Sequence, residues 1–216
     1  MSQARTRIKI CGITDLSDAL AAIDAGADAL GFILVPKTPR YMTRAQFQPI
    51  LRALPPFVQT VAVAMRCEQE LELVRSSFNT IQYYEGGGSR GVDGSLRFVR
   101  AFRVRDASSL KEIETYCAQF MPDAIHLDTY HKNKLGGSGE AFNWELAIEA
   151  KQRFTLPIVL AGGLTPENVE EAILRVRPYA VDVSSGVESE PGRKDHAKLR
   201  AFIQAVKRAD ARIEAE

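Results

Sequence analysis

The chain has only 3 cysteines, 3 histidines and 1 tryptophan in 216 residues, and neither charge sign is in surplus, with 28 Lys+Arg against 27 Asp+Glu. Each shortage excludes something. Cys11, Cys67 and Cys117 are odd in number, widely spaced and form no CxxC pair, so neither a disulfide framework nor a zinc site is expected. His126, His131 and His196 show no ligand spacing, and no metal is expected. A net charge of +1 leaves no electrostatic footprint for nucleic acid or an anionic membrane. No apolar run approaches the ~18 residues of a membrane span. The opening residues, Met1-Ser-Gln-Ala-Arg-Thr-Arg7, lack the apolar stretch of a leader peptide. The expectation is a reduced, cytoplasmic protein.

What is present is a 45% hydrophobic composition, enough to bury a core that offsets chain entropy. Short β-branched apolar runs alternate with amphipathic stretches. The predicted strands are Ile8–Cys11, Ala29–Leu34, Val58–Val63, Ile81–Tyr84, Phe98–Phe102, Ala124–Leu127, Pro157–Ala161 and Ala180–Val183. Helices are predicted from Leu16 to the stop at Gly26, over Arg44–Ala53, Glu68–Ser76, Ser108–Ala118 and Trp144–Arg153, from Pro166, and to about Ala209 at the end. Eight strands that are apolar throughout imply a parallel sheet covered on both faces. Strand–helix repetition points to an α/β fold, either a (β/α)₈ barrel or a doubly wound sheet, and eight similar units with no second composition zone favour a single-domain (β/α)₈ TIM barrel over residues 1–216.

One unit breaks the rhythm. Between strands four and five runs Glu85-Gly-Gly-Gly-Ser-Arg-Gly-Val-Asp-Gly-Ser-Leu-Arg97, so the helix expected there is absent or very short. Gly86-x-Gly88-x-x-Gly91 with Asp106 downstream matches a dinucleotide fingerprint on paper. That motif needs a helix N-terminus to hold the pyrophosphate, and Val92-Asp-Gly-Ser95 is a poor helix start. A flexible loop is the better reading.

In such barrels the chemistry sits at the C-terminal ends of the strands. There the chain places Cys11-Gly12, Lys37-Thr-Pro-Arg40, Asp128-Thr129 ahead of Gly136-Gly-Ser-Gly139, Gly162-Gly163, and Ser184-Ser185-Gly186. Glycines and serines after strands seven and eight suit phosphate, because backbone N–H groups can approach closely and hydroxyls add donors. Cys11, otherwise a small buried hydrophobe, becomes a base or nucleophile if its pKa is lowered. Asp128, otherwise a cap or an ion-pair partner, can act as a general acid if its pKa is raised. His126 is expected to face away from the substrate or into the wall.

Lys9-Ile-Cys-Gly-Ile-Thr14, Pro39-Arg-Tyr41, Leu127-Asp-Thr129, Gly136–Gly139, Phe142-Asn-Trp144, Ala161-Gly-Gly-Leu164 with Pro166-Glu-Asn168, and Val183-Ser-Ser-Gly-Val-Glu188 together resemble the phosphoribosylanthranilate isomerases over nearly the whole chain. The resemblance implies a cofactor-free Amadori rearrangement in tryptophan biosynthesis. Asp128 is then the acid that protonates the furanose ring oxygen, and Cys11 the base that removes the C2 proton. Arg40 is expected to engage the anthranilate carboxylate, and Gly163, Ser184 and Ser185 to cradle the phosphate. Gly137, Gly162, Asp182 and Gly186 complete the expected substrate contacts. The implied partner is a small phosphoribosyl molecule, and the chain a monomer or homodimer.

The departures sit on strand four, where the family usually carries Gln-Leu-His-Gly and this chain has Gln82-Tyr83-Tyr84-Glu85-Gly86, and at Thr38, where serine is common. Indole-glycerol-phosphate synthase is the nearest enzyme alternative, but the cysteine ending strand one argues against it. A non-catalytic phosphometabolite-binding barrel is the alternative outside enzymes, and the retained Cys11 and Asp128 argue against that.

Overall fold

In the computed structural model the structure is described for residues 5–68, 71–87, 96–129 and 143–216. Eight parallel strands close into a barrel in chain order: β1 (Arg7–Cys11), β2 (Ala29–Ile33), β3 (Gln59–Arg66), β4 (Thr80–Glu85), β5 (Arg97–Val104), β6 (Ala124–Thr129), β7 (Ile158–Leu160) and β8 (Ala180–Val183), with β8 paired to β1. The helices α1 (Leu16–Ala25), α2 (Arg44–Ala53), α3 (Leu71–Arg75), α4 (Ala107–Gln119), α5 (Trp144–Arg153), α6 (Val169–Val176) and α7 (His196–Glu214) run between and after them. The expected α/β barrel is what the chain forms.

The elements start and stop for local reasons. Asp15 caps α1 by accepting from the Asp18 N–H, and Gly26 ends it at φ 115°, a left-handed conformation that glycine adopts without strain. Thr43 and Gln46 form a reciprocal capping box on α2. Outward residues such as Ile10, Leu30, Phe32, Ile81 and Ile125 pack beneath the helices in the main core. Ala124, Val159 and Ala180, with Val99, form a smaller apolar cluster apart from it.

Two boundaries and one added element depart most from expectation. Pro166 does not open α6: residues 166–168 form a turn in which Asn168 Oδ1 accepts from the Thr165 N–H at 2.8 Å and its Nδ2 donates to the Gly163 carbonyl at 2.9 Å. α6 therefore starts one turn later. α7 extends past Ala209 to Glu214. A two-stranded hairpin, β9 (Glu188–Glu190) with β10 (Arg193–Lys194), lies between β8 and α7 and was not foreseen. The short or absent helix between β4 and β5, and the second and third glycines of the fingerprint, fall on residues 88–95, outside the described residues. Among the described residues no helix is long and apolar enough to cross a membrane.

Candidate functional site

Side chains two apart on a strand share a face, so each barrel strand delivers alternate residues to the interior. Cys11, Ile33, Val63, Gln82, Tyr84, Arg103, His126, Asp128, Asp182 and Ser184 line one cavity at the C-terminal end, together with Arg40, Gly162, Gly163, Ser185 and Gly186. All the expected site residues within the described part of the chain thus meet in one place. Gly137, and with it the Gly136–Gly139 loop and His131, lies outside the described residues.

His126 takes one of its two expected placements, in the cavity wall. Two residues before Asp128, it shares the inward face, lines the cavity and is 2% exposed. Its Nε2 lies 2.8 Å from Asp182 Oδ2, and the same oxygen accepts from Lys9 Nζ at 2.7 Å. Burial alone would raise the Asp182 carboxyl, but the Lys9 charge and the His126 hydrogen bond overcome it and bring it down to about 2. Asp182 is therefore an anion held by two donors. It belongs to the cavity wall as expected, but its partners here are protein groups.

Cys11 sits at the end of β1 and is buried. The chain turns sharply after it at Gly12, φ 77°, where an added Cβ would lie 2.6 Å from Arg40 Cδ. The thiol does not have the lowered pKa that would by itself make it a thiolate. Burial pushes it up, and the nearby ammonium groups of Lys9 and Lys194 offset that only in part, while Asp182 adds to it. Lys9 is drawn down by burial but more strongly raised by Asp182 and Cys11, so the cation beside the thiol is firmly protonated.

Arg40 is held by a residue from the unforeseen hairpin. Its Nε and Nη2 donate to Glu188 Oε1 and Oε2 at 2.8 and 2.6 Å, a bidentate pair. Lys194, also from the hairpin, donates to Glu188 Oε1 at 2.8 Å and to the Cys11 carbonyl at 2.6 Å. One buried chain of contacts therefore links β1, the β2–α2 loop and the hairpin. Glu188 would be raised by burial, yet Arg40 and Lys194 lower it, so it remains ionised.

The turns after β7 and β8 have the geometry of an anion cradle. Gly162 and Gly163 have φ 86° and 67°, orientations that turn backbone N–H groups in ways side-chain-bearing residues resist. Gly186 cannot carry a side chain, because a Cβ there would run into the Leu164 carbonyl oxygen. Ser184 Oγ is buried in the same wall with no hydrogen-bond partner among the described residues. Beside this cradle, Asp128 lies near the end of β6, the strand paired with β7, and accepts from the Tyr84 hydroxyl at 3.1 Å. Cys11 and Asp128 stand three strands apart round the ring, through β8 and β7, so a molecule in the cavity lies between a thiol and a carboxyl.

Lys9, Tyr84, Arg103, His126 and Lys194 were not foreseen as site residues. For Lys9 and His126 the signal was legible: each is a charged or polar side chain two positions from an expected catalytic one.

The model of the N-(5'-phosphoribosyl)anthranilate (PRA) isomerase family matches residues 8–205. An N-(5'-phosphoribosyl)anthranilate isomerase of Pseudomonas fluorescens is 48% identical over 207 residues, covering 93% of this chain and 98% of that protein. The crystal structure of phosphoribosyl anthranilate isomerase from Thermotoga maritima superposes with a TM-score of 0.82 at 39% identity, covering 94% and 98% of the two chains. Another isomerase structure, in complex with reduced 1-(o-carboxyphenylamino)-1-deoxyribulose 5-phosphate, gives a TM-score of 0.78 at 37% identity over 94% and 98%.

Proposed function

The chain belongs to the N-(5'-phosphoribosyl)anthranilate isomerase family, and from that premise we propose how its barrel carries out the reaction. The enzyme is an aldose–ketose isomerase of tryptophan biosynthesis that converts N-(5'-phosphoribosyl)anthranilate to 1-(2-carboxyphenylamino)-1-deoxyribulose 5-phosphate. The observation that carries the mechanism is the placing of Cys11 and Asp128 in one cavity, on the strands that flank the glycine–serine cradle.

Asp128 gives its proton to the furanose ring oxygen. The C1–O bond breaks as the anthranilate nitrogen lone pair forms the iminium. Cys11, as thiolate, then takes the C2 proton, and the electron pair moves into the C1–C2 bond while the iminium nitrogen is neutralised. The resulting enolamine tautomerises to the ketone. The iminium is the electron sink, which leaves acid–base catalysis as the protein's task. A thiolate is a polarisable base, and the Lys9 ammonium beside Cys11 offsets part of the burial that opposes its formation.

The phosphate is assigned to Gly162, Gly163, Ser184, Ser185 and Gly186, where left-handed glycines and a buried hydroxyl supply donors. The anthranilate carboxylate is assigned to Arg40, presented by Glu188 at the cavity edge. Asp182, with Lys9 and His126, supports the wall between the phosphate and the thiol. The setting is a cytoplasmic enzyme working on a free phosphoribosyl ligand without cofactor.

The test is turnover by the purified chain. Phosphoribosylanthranilate is generated in situ from anthranilate and phosphoribosyl pyrophosphate by a coupling transferase, and its fluorescence is followed with and without EDTA pretreatment. Rapid, metal-independent loss of fluorescence is expected. A folded protein that binds the reduced product analogue but gives no turnover would contradict the reading.

A further inference from the structure

Strand β4 ends in Gln82-Tyr83-Tyr84-Glu85. Tyr83 points outward, where its hydroxyl meets that of Tyr116 on α4 at 2.9 Å. Tyr84 therefore points inward with Gln82, and both line the cavity. Register carries its level round the barrel: Tyr83 pairs with Arg100 on β5, and Arg103, further along that strand, pairs with Asp128 on β6. Tyr84, Arg103 and Asp128 consequently stand at the mouth on three adjacent strands. The Tyr84 hydroxyl reaches past β5 to Asp128 Oδ2 at 3.1 Å, and the Arg103 guanidinium lies 4.8 Å from the Tyr84 ring centroid. The ring is thus held on its face by a cation and at its tip by a carboxyl.

We infer that Tyr84 is a positioning residue for the reaction, a fixed hydroxyl donor that orients the Asp128 carboxyl and stabilises it in the ionised form it reaches after protonating the ring oxygen. The inference deepens the reading of Asp128 as the acid and rests on it. Burial and the neighbouring Asp128 push the Tyr84 phenol well above its ordinary value, so it remains protonated and can only donate to a carboxylate. A hydrogen bond from a hydroxyl to a carboxylate is roughly twice as strong as one to a neutral acceptor. The proton leaves Asp128 as the sugar C1–O bond breaks, so the Tyr84 bond strengthens during that step. Strengthening on the way to the transition state lowers the barrier rather than improving substrate binding.

Tyr84→Phe removes the donor and keeps the ring. The expected result is a fall in kcat of about 5–20-fold, the difference between a charged and a neutral hydrogen bond, with KM and the Kd for the reduced product analogue changed less than about twofold. In an Asp128→Asn background, already slowed by about 10²–10⁴-fold, the same change should cost less than about twofold, because the carboxylate it serves is gone. An undiminished Tyr84→Phe loss in that background overturns the inference, as does a loss that appears in analogue Kd rather than in kcat. If Asp128→Asn itself retains wild-type rate, the acid assignment fails. If Asp128→Asn is slow and Tyr84→Phe is not, the acid assignment stands and only the role of Tyr84 falls.

Discussion

At Cys11, burial and charge act in opposite directions, and burial has the larger effect in the ligand-free enzyme. A raised thiol pKa means the thiolate forms only above the range of an ordinary cysteine, whose pKa is near ~8.5. Thiolate absorbance of the wild type minus that of Cys11→Ser should therefore titrate with its inflection above ~8.5; an inflection well below that would show that Lys9 and Lys194 dominate. Arg40 gives a separate test. Its bidentate grip on Glu188 fixes the guanidinium before substrate arrives. Arg40→Ala should raise KM about 10–100-fold, the worth of a hydrogen-bonded charge pair, with kcat changed only a few-fold. Steady-state kinetics separate the two constants, and a loss confined to kcat would remove Arg40 from binding. Cys11 and Asp128 were legible in the sequence as reactive types at strand ends, and Arg40, in the loop after β2, through the family resemblance. Their supports were not: Glu188 and Lys194 are distant in sequence from Arg40 and Cys11, and only the hairpin brings them near. His126 was legible in principle, since a residue two before Asp128 must share its face.

Among the elements, the turn after β8, set close against that after β7, tolerates little change. Gly186→Ala sets a methyl group against the Leu164 backbone, which has no flexible end to yield. One of the two turns must shift, at a cost of about 1–3 kcal/mol in stability and with the phosphate cradle displaced. Urea unfolding and KM should both move; a variant with unchanged KM would place the phosphate elsewhere. These turns were readable from their glycines. The hairpin was not, because strands of three and two residues carry no periodicity. The start of α6 was misplaced because proline suits both a helix's first turn and a preceding turn, and the choice is settled by Asn168 bonding back to Thr165 and Gly163.

Across the whole molecule, the Lys9–Asp182–His126 cluster ties β1, β8 and β6 together inside the barrel. Asp182 is lowered to about 2, against roughly 3.9 in an unfolded chain. A depressed carboxyl contributes stability above the unfolded value, here on the order of 2 kcal/mol, and loses it as pH falls from about 4 to about 2. Asp182→Asn should therefore be several kcal/mol less stable at neutral pH, since it also strands Lys9, and the gap to wild type should narrow through that window in pH-dependent urea unfolding. A constant gap would contradict the ion pair. The barrel itself was legible because eight apolar runs at regular spacing leave few other ways to bury both faces of a sheet. What closure adds is the meeting of the β1 and β6 ends at one mouth, which no local pattern encodes. That meeting underlies the central claim, that Cys11 and Asp128 form the acid–base pair. The direct measurement is kcat of Cys11→Ser and Asp128→Asn in the fluorescence assay, with folding checked by unfolding midpoint. Each should fall by about 10²–10⁴-fold with the midpoint preserved; a folded variant within a few-fold of wild type would contradict the account.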